Sequence, residues 1–287
     1  MPQSEVTVIV NTGDDIELYG LHISPDLDII MYTLAGIVDE EKGWGVKNDT
    51  FRCLEFLRKY GYETWFNLGD RDLATHIYRT MQLKEGLSLS QVTAHLCQKL
   101  GVNARILPMT NNKFATKIET DEGTMHFEEY FVKKNCTGKV TNVFFEGADA
   151  AEPAPDVLEA ILSSELVIIC PSNPIVSIGT ILSVKGIRTA LKETKAKVVA
   201  ISPIVGGHPI KGPAGKLMLS QGLQISALAV ARLYKDFLDV FIIDQMDQKE
   251  KKSIEELGLQ VLATNTIMKT FDDKTRLAKL ALECANL

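Results

Sequence analysis

Asp14, Asp15, Asp26, Asp28, Asp49, Asp70 and Asp72 all fall in the first quarter of the chain, in turns or at helix starts. Carboxylates so placed do one of two jobs. They cap helices, accepting free N–H groups of the first turn and facing the positive end of the helix dipole. Alternatively, two or three converge on a divalent cation such as Mg2+, which takes one or two carboxylates and completes its shell with water and phosphate oxygens. Asp14 and Asp15 close the run VTVIVNTGDD, and Asp49 lies in KNDTF; these three are the candidate metal ligands. Asp26 and Asp28 belong to HISPDLDIIMYTLAG, residues 22–36, where Ser24-Pro25 is a good helix start. Two residues apart on a helix, they point about 200° apart around its axis. Asp26, in the first turn, is assigned to capping, and Asp28 cannot face the same way.

The other half of the chemistry is a phosphate cradle. The run LVIIC is followed by Pro171-Ser172-Asn173-Pro174, and KVVAIS by PIVGGHPIKGPAGKLM. Small residues at such strand exits let backbone N–H groups approach an anion closely. Ser172, Asn173, Gly206, Gly207 and Lys216 are therefore the candidate nucleotide- or phosphate-binding residues. The pattern is not a Walker A loop, because Leu217 stands where Ser or Thr would hold the metal. Acids beside a bound diphosphate would repel it, so acids together with a cradle imply a cation. The five cysteines show no C-x-x-C spacing, and the histidines His22, His76, His95, His126 and His208 show no metal-binding spacing.

These groups need a scaffold, and the apolar runs supply one. Residues 6–15, 105–110, 142–147, 166–170, 197–202 and 239–244 read as strands covered on both faces. Helical stretches at 154–164, 185–195, 213–236 and 274–286 separate the later strands. That alternation predicts an α/β, Rossmann-like fold: a largely parallel sheet with helices on both faces. Residues 45–101 read as helices without a strand, a small insertion subdomain set into a core of 1–44 and 102–287. Residues 114–134 alternate around Asp121-Glu122-Gly123 and read as a β-hairpin. A net charge of −6 argues against general nucleic-acid binding. No apolar run reaches membrane-span length and no signal peptide is read, so a cytoplasmic protein without nucleic-acid or membrane partners is expected.

The motifs NTGDD, SPDLD, WGVKNDTF, LGDRDLATHI, ILPM, PSNPIVSIG, SPIVGG, GPAGKLM and KDFLDVFIID occur in this order. Together they resemble the 2-phospho-L-lactate transferase family of coenzyme F-420 biosynthesis over nearly the whole chain. The resemblance implies a Mg2+-dependent homodimeric enzyme. It would pass a phospho-acid from a guanosine diphospho-adduct to the ribityl hydroxyl of the deazaflavin Fo and release GMP. It implies that Asp28, the second Asp of PDLD, contacts Fo and acts in catalysis. It also implies that Asn67, two residues before the Gly of LGDRD, contacts Fo. The family opens with a strand and a GGTG loop ahead of the strand matching Val6–Val10, whereas this sequence opens Met1-Pro2-Gln3-Ser4. The competing expectation is a nucleotide-sugar-binding regulator of the same fold superfamily. WGVKND and LGDRD favour the transferase.

Overall fold

The computed structural model describes residues 1–286. The chain divides into two units: residues 1–118, 123–138 and 144–157, and residues 119–122, 139–143 and those from Leu158 onward.

The first unit opens with β1 (Thr7–Val10), whose β-branched run pairs in parallel with β4 (Arg105–Pro108), Thr7 opposite Arg105. Between them come the short strands β2 (Ile16–Leu18) and β3 (Leu21–Ile23), an antiparallel hairpin. Its two-residue turn is Tyr19-Gly20, both at positive φ (54° and 74°), as such a turn demands. Helix α1 (Pro25–Leu34) follows at once, with proline in its first turn. Its Leu27, Met31 and Tyr32 pack with Val10, Ile106 and Val92 in the core. Gln3 ties the far end of α1 to the amino ends of the strands: its Nε2 donates to the Leu34 carbonyl (3.0 Å) and its Oε1 accepts the Asn103 N–H (3.1 Å).

Residues 45–101 carry α2 (Arg52–Lys59), α3 (Asp70–Lys84) and α4 (Leu89–Lys99), with no strand among them. Helix α4 starts with a capping box of Ser88 and Gln91. Helices α2 and α3 cap one another. Asp49, just ahead of α2, accepts the N–H groups of Arg71 (2.9 Å) and Asp72 (3.1 Å) at the start of α3. Asp70, the first residue of α3, accepts those of Arg52 (3.2 Å) and Cys53 (3.0 Å) at the start of α2, and the Thr50 hydroxyl. Gly69 makes the exchange possible, since a Cβ there would overlap the Asp49 carboxylate.

The remaining strands begin with β5 (Ala115–Thr120), β6 (Gly123–His126) and β7 (Val140–Glu146), which form a sheet in the order β6-β5-β7. The expected hairpin therefore ends at His126, and Glu129–Lys133 coil into a π-helical turn instead of continuing the strand. The apolar run at 142–147 is likewise a strand, but it joins β5 rather than a parallel sheet.

The second unit is built on a four-stranded parallel sheet. Helix α5 (Val157–Ser163) leads to β8 (Leu166–Ile169). Helices α6 (Ile178–Ser183) and α7 (Ile187–Glu193) lead to β9 (Lys197–Ile201). A small hairpin, β10 (Ile204–Val205) and β11 (His208–Pro209), precedes α8 (Ala214–Ser220) and α9 (Ala227–Tyr234). Strand β12 (Val240–Asp244), α10 (Lys251–Glu255), β13 (Gln260–Thr264) and α11 (Phe271–Glu283) complete it. The order is β13-β12-β9-β8, every neighbour parallel. Strand β12, buried at all five positions, lies between two others, and Leu277 and Ala281 of α11 pack with Val199 and Ile242. The expected α/β class, with parallel sheets and helices on both faces, is the observed one. The single helix expected at 213–236 is two helices, interrupted by a turn at Gly222 (φ 71°).

The exchange of caps gives a direct test. Gly69→Ala and Asp49→Ala should each lower the unfolding free energy by about 0.5–2 kcal/mol, measured by chemical denaturation. The double variant should cost little more than either single, because both remove the same cap. Wild-type stability in Gly69→Ala would refute the close approach.

Candidate functional site

At the carboxyl end of β1 the chain turns through Asn11-Thr12-Gly13. The Asn11 Oδ1 accepts the Gly13 N–H (2.8 Å), and the Gly13 carbonyl accepts the Thr116 N–H of β5 (2.6 Å). This turn delivers Asp14 and Asp15 beside the start of α1. Ser24 does not cap α1; its hydroxyl donates to Asp15 Oδ2 (2.8 Å), which also lies 2.9 Å from His22 Nε2. Asp26 does not cap either. Its Oδ2 accepts from Asn11 Nδ2 (2.9 Å), so the carboxylate turns back towards the β1 exit rather than to its own helix. Glu128, at the end of the β6 segment, joins the group from the other side of the sequence. It is buried, as Asp14 is.

Four carboxyl groups thus share one region with no cation. Among the described residues, no lysine or arginine pairs with any of them. Burial raises the Asp14 carboxyl well above its ordinary range, and Asp26 and Glu128 push it further. Burial likewise lifts Asp26 to about 6 against the opposing hydrogen bond from Asn11. It lifts Glu128 to about 8, with Asp26 and Asp15 adding repulsion. The Oδ1 atoms of Asp14 and Asp15 are buried and accept no hydrogen bond. Orphaned carboxylate oxygens in an all-oxygen, net-negative site suit a hard divalent cation.

A second polar cluster lies deeper. Asp28 is buried, and both its oxygens accept from the Arg79 guanidinium, Oδ2 from Nη1 at 3.0 Å. Burial pushes the Asp28 carboxyl up, and Arg79 opposes the rise. His76 Nδ1 lies 3.2 Å from Arg79 Nη1, which can only donate, so Nδ1 is the acceptor and the ring proton sits on Nε2, 3.4 Å from Asp72 Oδ1. The Tyr32 hydroxyl is 2.8 Å from Asp72 Oδ1 and 2.7 Å from Thr75 Oγ1. The carboxylate cannot donate, so Tyr32 gives it its proton and the Thr75 hydroxyl donates back. Asp28, Asp72 and His76 bring three ligand atoms within 4.8 Å, a geometry a metal could use. Arg79 already supplies the positive charge there, so the cluster is charge-compensated, although Arg79 Nε and His76 Nε2 are buried without an acceptor.

The structure brings together Asp14 and Asp15 of the expected metal set; Asp49 is engaged at the start of α3 instead. Asn67 is exposed in the segment ahead of α3. In the second unit, Asn173 makes a tight turn, its Oδ1 accepting the N–H of Ile175 (3.0 Å), with Ser172 half-buried beside it. Gly206 and Gly207 adopt positive φ (58° and 77°), but their N–H groups donate to the buried Asp247 carboxylate (2.9 and 3.1 Å). Those donors are turned to a side chain of their own unit. Lys216 is exposed on α8. Sequence reasoning missed Glu128; the only local signal was an acid pair following His126-Phe127.

The family model described as 2-phospho-L-lactate transferase CofD matches residues 2–282. The chain belongs to the 2-phospho-L-lactate transferase family. It is 42% identical to the 2-phospho-L-lactate transferase of Methanosarcina mazei, over 99% of this chain and 93% of that one. It is 44% identical to a phosphoenolpyruvate transferase of Streptomyces griseus, over 99% and 91%. Among solved structures it is similar to protein BH3568 of Bacillus halodurans, with a TM-score of 0.62 and 16% identity over 98% of this chain and 94% of that one, a likeness of fold. The family's transferase activity acts in F420 biosynthesis. Among the described residues no helix is long and apolar enough to cross a membrane.

The crowded acids predict a pH effect in this transferase. A carboxyl whose folded pKa is raised binds its proton more tightly in the native state, so stability is present at low pH and is lost as pH rises. With Asp26 near 6 and Glu128 near 8, the loss falls between about pH 4 and 8. Glu128→Gln removes the Glu128 contribution. In EDTA at pH 8 its melting temperature should exceed that of the wild type, and its decline from pH 5 to 8 should be shallower. Thermal melts across that range decide it, and parallel profiles would count against the crowding.

Proposed function

We propose that this protein transfers a phospho-acid group, 2-phospholactyl or a close relative, from a guanosine diphospho-adduct to the ribityl hydroxyl of Fo, releasing GMP. The observation that carries the reading is the acid group at the β1 exit, with two orphaned carboxylate oxygens and no cation of its own. Relatives named for 2-phospho-L-lactate and for phosphoenolpyruvate are equally similar to the chain, so the donor acid is left as a class.

Mg2+, held by Asp14 and Asp15 with water and phosphate oxygens filling its shell, would offset the diphosphate charge and the charge that develops on the leaving phosphate. The chain's own residues do the rest. His22 and Ser24 fix Asp15, and Asn11 fixes Asp26. The acceptor hydroxyl oxygen attacks phosphorus, the bond to the GMP oxygen breaks, and the hydroxyl proton passes to a carboxylate. Asp26 is assigned that proton, being only partly buried at the mouth of the helix, whereas Asp28 is enclosed. Asp28 positions α1 against α3 through Arg79. For it to contact Fo directly, one of its two bonded oxygens must be released. Asn67 offers an exposed carboxamide to the acceptor. In the second unit, Ser172, the Asn173 turn and Lys216 serve the nucleotide where β8 and β9 end side by side. Gly206 and Gly207 hold that loop's shape through Asp247.

The purified protein should convert Fo and lactyl-diphosphoguanosine to the phosphodiester and GMP with Mg2+, and lose the activity in EDTA. Full turnover in EDTA would sink the metal. Asp26→Asn should fold normally and lose on the order of 10²-fold in kcat. Asp28→Asn leaves a buried guanidinium unpaired and should lose about 3–5 kcal/mol of stability. If Asp28→Asn melts like wild type and only Fo binding weakens, Asp28 is a direct acceptor contact.

A further inference from the structure

Within the first unit, a cavity of about 560 Å³ opens between the carboxyl end of α1, residues 46–48, the start of α3 and the end of α4. Its size suits a small organic ligand. It is not the acid site. It lies by Gly36 and Ile37, at the end of α1 that Gln3 ties to the amino ends of β1 and β4. The acid group sits at the opposite end, beyond the β1 carboxyl terminus. The ten residues of α1 separate the two by about 15 Å at 1.5 Å per residue.

The lining has a definite chemistry. Ile37, Val46, Leu96 and Leu100 give it apolar walls, and Ala74 leaves room at the face of α3. Two cations, Lys47 and Arg71, stand at the rim, and no carboxylate lines it. Among the described residues neither cation is paired with an acid. Arg71 Nη1 donates to the Lys47 carbonyl (3.1 Å), which holds the guanidinium beside the opening. The floor is rigid, since Tyr32 and Thr75 are bonded to each other and Tyr32 to Asp72.

We infer that this cavity binds an organic anion with an apolar body, its charged group held by Lys47 and Arg71. The claim stands without the transferase reading, since binding needs no turnover. The same chemistry has two possible sources: the ring system of an acceptor that reaches along α1, or a separate effector.

The probe is 8-anilinonaphthalene-1-sulfonate, an apolar fluorescent anion, titrated into the protein. One probe per chain should bind. The Lys47→Gln/Arg71→Gln double variant should weaken it roughly tenfold or more through loss of charged contacts. Ala74→Trp should fill the cavity and abolish binding. All three positions are exposed, so thermal melts should be unchanged. The uncharged N-phenyl-1-naphthylamine should bind the wild type and the double variant alike. Probe binding unaffected by both the double variant and Ala74→Trp would overturn the inference. With the inference upheld, displacement of the probe by Fo assigns the cavity to the acceptor. Retention of the probe at saturating Fo assigns it to a separate anion.

Discussion

The pairing of Asp28 with Arg79 is the constraint on which the first unit rests. Both side chains are withdrawn from water, and each charge is tolerable only because the other is there. One comes from the first turn of α1 and the other from the third turn of α3, so the pair sets how the two helices lie. His76, Asp72, Tyr32 and Thr75 extend it into a hydrogen-bonded network, in which Arg79 Nε and His76 Nε2 are buried without an acceptor. Such a network adds less to stability than apolar packing of equal volume would, but it allows a single arrangement of donors. That precision fixes the amino end of α1, where Asp26 meets Asn11.

The contrast between neighbours on α1 is informative. Asp28 has a guanidinium to itself. Asp26, two residues earlier, has only an asparagine and lies among Asp14, Asp15 and Glu128. One helix thus carries a neutralised carboxylate inside and a crowded one at its mouth. The interior carboxylate has its counter-charge within the fold, whereas no lysine or arginine among the described residues pairs with the crowded group. The same helix anchors the fold at one acid and leaves the other crowded by carboxylates.

Much of this was legible in the sequence. The short apolar runs after residues 6, 105, 166, 197 and 239 mark strands by their length and the turn residues that follow them, and Asp14 and Asp15 stand where a strand exit must lie. What escaped was non-local. Strands β2 and β3 have three residues each, too few for a period to register. Asp26 and Asp49 were read by their neighbours in sequence. Yet Asp26 takes its bond from Asn11, 15 residues earlier, and Asp49 caps a helix whose bonded N–H lies 22 residues on. Glu128 reaches the acids from the turn that follows β6. Gly206 and Gly207 look like free donors until Asp247, some 40 residues later, takes them. Turn chemistry indicates where a donor can be, but only the fold decides whether it is still available.

The mutual capping of α2 and α3 has a consequence for motion. Helix α2 has eight residues, too few to persist alone in water. Its first N–H groups are satisfied by a side chain belonging to α3, and those of α3 by a side chain from the segment ahead of α2. Fraying of either helix start therefore strips the cap from the other. The two are expected to open and close as one cooperative unit, with their amide protons exchanging together rather than turn by turn. A surface that appears to be two helices and a loop is, energetically, a single hinged plate.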